Sequence, residues 1–207
     1  RNLPSSALLR VKSVAGVQSA VPLYKSLNIL RSQEGILQQI LLLGLDDTTL
    51  TGNPAKILQG QSSALREADS IIMDDQGYKF IWPNEKLQLG KSVEIGNKRF
   101  TIKAICDASP PFLTFPIVYT KLSSINQILG ENNNTSFVLV KAKNGQNLQQ
   151  LAAKISKQTG FKALTTADFK KATIDHYLKR TGIPVNFGIT IFLGFIIGIA
   201  ITGQTFY

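Results

Sequence analysis

Several residue types are scarce in this 207-residue chain, and each scarcity closes a class of function. There is one cysteine, Cys106, so no disulfide can form within the chain, and the residue reads as a small apolar side chain in a strand. There is one histidine, His176, so these residues cannot build a multi-histidine metal centre. Its neighbour Asp175 forms no dyad with it, because adjacent residues on a helix point about 100° apart. No Gly-x-Ser-x-Gly elbow, phosphate-binding loop or Gly-x-Gly-x-x-Gly fingerprint occurs. The carboxylate pairs Asp46-Asp47 and Asp74-Asp75 stand where a strand gives way to a turn or helix, a place for turn and N-cap residues. The sequence therefore offers no catalytic residue, no cofactor site and no metal ligand set, and the expectation is a non-catalytic component.

Charge is missing from one stretch altogether. Thr181 to Tyr207 carries none, and Phe187 to Ile201 reads Phe-Gly-Ile-Thr-Ile-Phe-Leu-Gly-Phe-Ile-Ile-Gly-Ile-Ala-Ile, apolar on every face of a helix. About 20 such residues cross the hydrocarbon layer, whereas buried helices of soluble domains usually run shorter than about 18. Residues 183–207 are expected to be a transmembrane helix, with a buried central helix of a large soluble domain as the alternative. Gly194 and Gly198 form a Gly-x-x-x-Gly pair that lets a second helix approach closely. The chain begins at Arg1 and ends inside or at the edge of this segment, which suggests an excerpt of a longer polypeptide.

The positive charge is unevenly placed. Residues 1–140 hold 14 basic and 11 acidic residues, whereas 141–180 hold nine basic and only two acidic, Asp168 and Asp175. A basic collar beside a membrane helix is suited to anionic headgroups. Nucleic-acid binding is the competing reading of a pI near 9.8, but the aromatics do not interleave with the cations as a stacking surface would need. The collar does not fix the side of the membrane, because long domains translocate largely regardless of charge.

Turn chemistry and periodicity divide the rest. A short helix is expected over 5–14, stopped by Gly16, then extended chain from Val17 to Leu30 and a Leu-rich strand from Ile36 to Leu45. Residues 51–67 read as a loop with one helical turn, 70–74 as a buried strand, and 75–82 as a helix ending before Pro83. Lys91–Ile95 and Lys98–Ile105 flank Gly96-Asn97, the pattern of a two-residue hairpin. After a Pro-rich connection, a strand over 117–120 and a helix over 122–129 are expected. Phe137–Val140, the stripe Leu148, Leu151, Ala152, Ile155, and Phe161–Leu164 then read as a β-α-β unit, implying a parallel or mixed sheet. A last helix from Thr166 is expected to turn Phe169, Ala172, Ile174, Tyr177 and Leu178 inward.

In order, the segments "LLLGLDD", "LREADSIIMDD", "LGKSVEIGNKRFTIKAI", "FPIVYTKLSSINQIL", "SFVLVKAKNG" and "YLKRTGIPVNFGITIFLGFIIGIAITGQTFY" resemble the extracytoplasmic domain and second membrane helix of an ABC-transporter permease of the MacB/FtsX type. Within that group the chain is most similar to the DevC-like permeases. The hairpin and the "T-G-I-P-x-x-F" lead into the helix carry most of the likeness, which covers nearly the whole chain.

The resemblance implies an α+β extracytoplasmic domain of two lobes followed by one transmembrane helix. A β-α-β, porter-like lobe would combine 1–49 with 135–180, and an inserted, mainly β, sabre-like lobe would span 50–134. It implies a multi-pass inner-membrane protein with residues 1–180 periplasmic. Its partners would be a cytosolic ABC ATPase, a periplasmic membrane-fusion adaptor and an outer-membrane channel, with a homodimeric permease surrounded by membrane lipid. Such a permease transmits ATP-driven movement to its periplasmic domain. The residues themselves support a mechanical role: Arg180, Gly182 and Pro184 join the last domain helix to the membrane helix with almost no slack, and a short joint transmits displacement. Phe112 and Phe115, on the Pro-rich segment, are candidate partner contacts or core residues. Two alternatives share these features, an FtsX-type regulator of cell-wall hydrolases and a membrane-anchored sensor or binding ectodomain.

Overall fold

The computed structural model describes residues 3–4, 6–108, 115–130, 135–180 and 183–206, with side chains 177–184 outside the description. The chain divides into two compact units, 1–146 and 147–207.

In the first unit the elements are α1 (Ala7–Lys12), β1 (Val17–Ser32), β2 (Leu37–Leu45), β3 (Ile57–Gly60), a 3₁₀ turn (Ser62–Arg66), β4 (Ser70–Asp74), α2 (Asp75–Ile81), β5 (Ser92–Ile95), β6 (Lys98–Cys106), β7 (Ile117–Lys121), α3 (Leu122–Leu129) and β8 (Phe137–Ala142). All eight strands belong to one mixed sheet. β1 pairs antiparallel with β2, β2 parallel with β7, β7 antiparallel with β4, β4 parallel with β6, β6 antiparallel with β5, and β5 antiparallel with β1. The pairings thus close on themselves. Two long strands make this possible by dividing one edge between two partners. β1 gives Val17–Leu23 to β8 and Leu30–Ser32 to β5, while β6 gives Lys98–Thr101 to β5 and Ala104–Cys106 to β3.

Alternation of side chains sorts the strands between two cores. Leu30, Ile40, Leu42, Ile71, Met73, Val93, Ile95, Phe100 and Val118 point to the larger one, which Tyr78, Ile81 and Trp82 of the α2 region and Ile125 of α3 complete. Leu41, Leu45, Ile72, Ile117 and Tyr119 point to the other, which Leu50 and Leu65 cover. β2 is buried on both sides from Ile40 onward, as its leucine-rich run suggests. The β5–β6 turn has positive φ at both Gly96 (55°) and Asn97 (62°), the requirement of a type I′ hairpin.

The lobe boundary drawn from the sequence does not interrupt the sheet. β1 and β2, from 1–49, are hydrogen-bonded to β5 and β7, from 50–134. The edge strand β3 falls within the stretch read as a loop; its four residues Ile-Leu-Gln-Gly are too short and polar for a periodic signal.

The second unit holds α4 (Leu148–Thr159), α5 (Thr166–Arg180) and α6 (Ile183–Phe206). Asn147 caps α4, accepting from the Gln149 and Gln150 N–H groups, and Leu151 and Ile155 are its buried stripe. The strand expected over 161–164 does not form. Instead the Phe161 N–H donates to Thr159 Oγ1 (3.2 Å) and the Ala163 N–H to Ser156 Oγ (3.0 Å), so hydroxyls of α4 take up donors that a ladder would have used. The β-α-β expectation therefore loses its second strand, and the parallel pairings arise elsewhere, at β2–β7 and β4–β6. α5 also differs: Phe169, Ala172 and Ile174 are exposed rather than inward. Spacings of three and two scatter these residues around the helix and build no stripe.

Candidate functional site

The carboxylate pairs hold the fold together. Asp46 Oδ2 accepts from the backbone N–H and hydroxyl of Thr49, closing the turn after β2. Asp47 Oδ1 accepts from the Ser123 N–H in the first turn of α3, where the helix dipole favours a negative group. Asp74 is 1% exposed. It caps α2 by accepting from the Gly77 N–H (3.0 Å) and accepts from the Ile117 N–H (2.6 Å) at the start of β7. Asp75 pairs with Lys79 one turn on, at 3.0 Å. Among the described residues no group of three or more His, Cys, Asp or Glu converges on a metal-sized site.

A second cluster brings together residues far apart in sequence. Trp82 Nε1 donates to Glu34 Oε2 (3.1 Å), Lys91 Nζ lies 4.4 Å from the Trp82 ring centroid, and Lys91 pairs with Glu85 at 2.7 Å. Tyr78 packs on Trp82 with centroids 4.8 Å apart. The Ser32 hydroxyl, Glu34's own backbone N–H and the Trp82 indole hold the Glu34 carboxyl at about 2. This cluster pins the β1–β2 turn to the end of α2, and nothing in the sequence announces it: its partners are separated by 48 residues. Burial, then the nearby Asp74, pushes the Cys106 thiol up to about 12, so the one thiol is a core group.

α6 has 24 residues, and its apolar part, Val185–Phe206, spans about 33 Å at 1.5 Å per residue, enough for a hydrocarbon layer of about 30 Å. None of that span is buried. The hydroxyls of Thr190, Thr202 and Thr205 donate to the carbonyls four residues back, so they carry no unmet hydrogen bond into lipid. Gly194 and Gly198 lie in a groove of about 540 Å³ walled by Phe195, Ile199 and Phe206, and a Cβ added at either glycine meets nothing within 4 Å.

The expected joint falls where α5 passes to α6. Arg180 is the last residue of α5 and Pro184 lies in the first turn of α6, where proline is tolerated because its missing N–H has no partner to lose. α5 and α6 contact one another. Gly182 lies outside the described residues. Of the two candidate contact aromatics, Phe115 is half-buried, and Phe112 lies outside the described residues.

The fold is a mixed α+β domain followed by one unburied apolar helix long enough to cross a membrane. Comparison supplies the family. The model for the MacB-like periplasmic core domain matches residues 2–158, and this chain belongs to that family, the extracytoplasmic part of ABC-transporter permeases of the MacB type. Two crystal structures share the fold. The extracellular domain of the noncanonic ABC-type transporter YknZ from Gram-positive bacteria is 16% identical at a TM-score of 0.58, covering 78% of this chain and 87% of that one. The periplasmic region of MacB from Actinobacillus actinomycetemcomitans is 19% identical at a TM-score of 0.58, covering 84% of each chain. A search of curated proteins gives no match.

Proposed function

We propose that this chain is the transmitting segment of an ABC exporter permease of the tripartite type, DevC-like within the MacB group. It passes ATP-driven movement of the membrane helix to the periplasmic domain and performs no chemistry of its own. The observation that carries this reading is the succession of α5 and α6 with only residues 181–182 between them. A helix that leads almost directly into another transmits displacement that a long flexible linker would absorb. In this reading the ATPase is a separate cytosolic subunit, and an adaptor and an outer-membrane channel complete the export path. The permease is a multi-pass homodimer whose residues 1–180 are periplasmic. The groove at Gly194 and Gly198 receives a neighbouring helix, the basic residues of 141–180 lie close to anionic lipid, and residues 50–134 act as a lobe inserted into the first, reaching partners through Phe112 and Phe115.

Inserting a flexible Gly-Ser segment after Arg180 in the full permease tests the reading. Export should fall sharply while ATP hydrolysis by the assembled transporter persists. Undiminished export in that variant would sink the proposal.

A further inference from the structure

The pairing register assembles one exposed face across four neighbouring strands. On β1 the residues Leu27, Ile29 and Arg31 lie opposite Leu41, Gln39 and Leu37 of β2; Leu41 is buried in the second core, and the other five are exposed. Arg31 also lies opposite Glu94 of β5, and Glu94 opposite Arg99 of β6. Directly opposed residues share a face, so all these side chains project the same way. The opposite face of the same strands supplies Leu30, Ile40, Val93, Ile95 and Phe100 to the larger core. Leu27, Ile29 and Leu37 are 48%, 60% and 66% exposed. Such a run of branched aliphatics on an open sheet face marks an interaction surface rather than scattered surface residues.

Beside the aliphatics is a charged ladder, Arg31–Glu94–Arg99, at a depression of about 210 Å³ that Gln33 and Ser92 also line. Neither guanidinium forms an ion pair among the described residues. Arginine forks left open beside an apolar strip are suited to carboxylates that arrive next to apolar side chains, since each fork can bind one in bidentate fashion.

We infer that this face of β2–β1–β5–β6 docks a segment of another protein that presents Asp or Glu beside aliphatic or aromatic residues. The aliphatics form the dry centre of the contact, and Arg31 and Arg99 fix its register at the rim. A bilayer is a poorer fit, because anionic lipid is held by clusters of about four to eight cations, and here a carboxylate stands between only two. A second copy of the chain would bring two arginines to each glutamate, leaving a cationic excess at the contact. This surface would be available to such a partner whether or not the permease exports a substrate.

The test places the photo-crosslinking residue p-benzoylphenylalanine at Leu27 or Ile29 of the full membrane protein in its own cells. Leu9 on α1, 70% exposed, is the control position. The expected result is a cross-link from 27 or 29, absent at 9, to a different protein, mapped by mass spectrometry to a peptide with carboxylates among apolar residues. Its yield should drop about tenfold in the double variant Arg31→Glu/Arg99→Glu and only partly in Arg31→Lys/Arg99→Lys, which keeps the charge but loses the fork. Circular dichroism of each variant shows whether it is folded. If the charge reversal does not fold, the unchanged protein in isolated membranes should lose most of the cross-link between about 0.1 M and about 0.5 M salt. A cross-link to lipid, to a second copy of the chain or to a peptide without carboxylates overturns the inference. So does no cross-link at all, or a yield indifferent to both charge reversal and salt.

Discussion

Asp74 joins three elements through one side chain, and removing it should be among the costliest single changes in the domain. It ends β4, caps α2 through the Gly77 N–H and receives the Ile117 N–H of β7, all at 1% exposure. In Asp74→Ala the lost cap costs about 1 kcal/mol. The Ile117 N–H is then buried without its acceptor, which costs about 1–3 kcal/mol more. The total of about 2–4 kcal/mol should lower the melting temperature by roughly 4–16 °C for a chain of this size. Asp74→Ser separates the two contributions. A serine hydroxyl can still cap α2, but its shorter side chain cannot also reach Ile117, so about 1 kcal/mol should return. Asp74→Asn keeps one carbonyl acceptor and turns an amide donor toward the other N–H, and should fall between the alanine variant and the parent. Urea unfolding of the detergent-solubilised chain, followed by the fluorescence of its single tryptophan, Trp82, measures all three. Trp82 follows α2 directly and therefore reports on the element that Asp74 starts. A loss under about 0.5 kcal/mol in Asp74→Ala would refute the assignment, as would a serine variant no better than alanine.

Two further outcomes follow from groups around the same core. Glu34 has a folded-state pKa of about 2 against an ordinary 4.5, so whatever it contributes is fully present above about 4.5 and is lost as pH falls through 2. Trp82 emission should accordingly change with a midpoint near pH 2, and Glu34→Gln should abolish that step; a midpoint near 4.5 in the parent would contradict the cluster. Cys106 is buried with its thiol pushed up to about 12, so it should resist iodoacetamide at pH 8 in the folded chain and react promptly in urea. Stoichiometric labelling of the folded protein would show the strand to be more open than described.

How much of this was legible in the sequence depended on whether the deciding signal was local. The run Ser70–Asp74, the Gly96-Asn97 hairpin, the helix Leu122–Leu129 and the uncharged stretch that becomes α6 each carry their own punctuation, and they form where expected. Phe161–Leu164 has the composition of a strand, but the hydroxyls of Thr159 and Ser156 capture its amide donors, a competition that propensity cannot weigh. The lobe boundary at 50 and 135 rests on the family resemblance, whereas the sheet is ordered by pairings such as β1–β5, in which Leu30 lies opposite Ile95. Asp46 and Asp74 serve the turn and cap their positions suggest, yet the partners of Asp47 and Asp74 lie 76 and 43 residues away and no local pattern names them.

The exposed face of β1 shows the limit most sharply. From Leu27 to Leu30 the chain offers apolar residues of both parities, Leu27 and Ile29 on one and Leu30 on the other, so alternation alone cannot say which set is core. Register decides it. Leu30 lies opposite Ile95 and is fully buried, in the core that also holds Val93, Ile40 and Phe100, whereas Ile29 lies opposite Gln39 and two residues from Arg31. A strand that is apolar on both faces is normally buried on both, as β2 is from Ile40 onward. β1 departs from that rule over Leu27–Arg31, beside two arginines that form no ion pair among the described residues. Aliphatic exposure is a cost the domain need not carry for its own folding, and two solvated arginines beside it offer a partner charge to meet, which is the physical reason to look for one there.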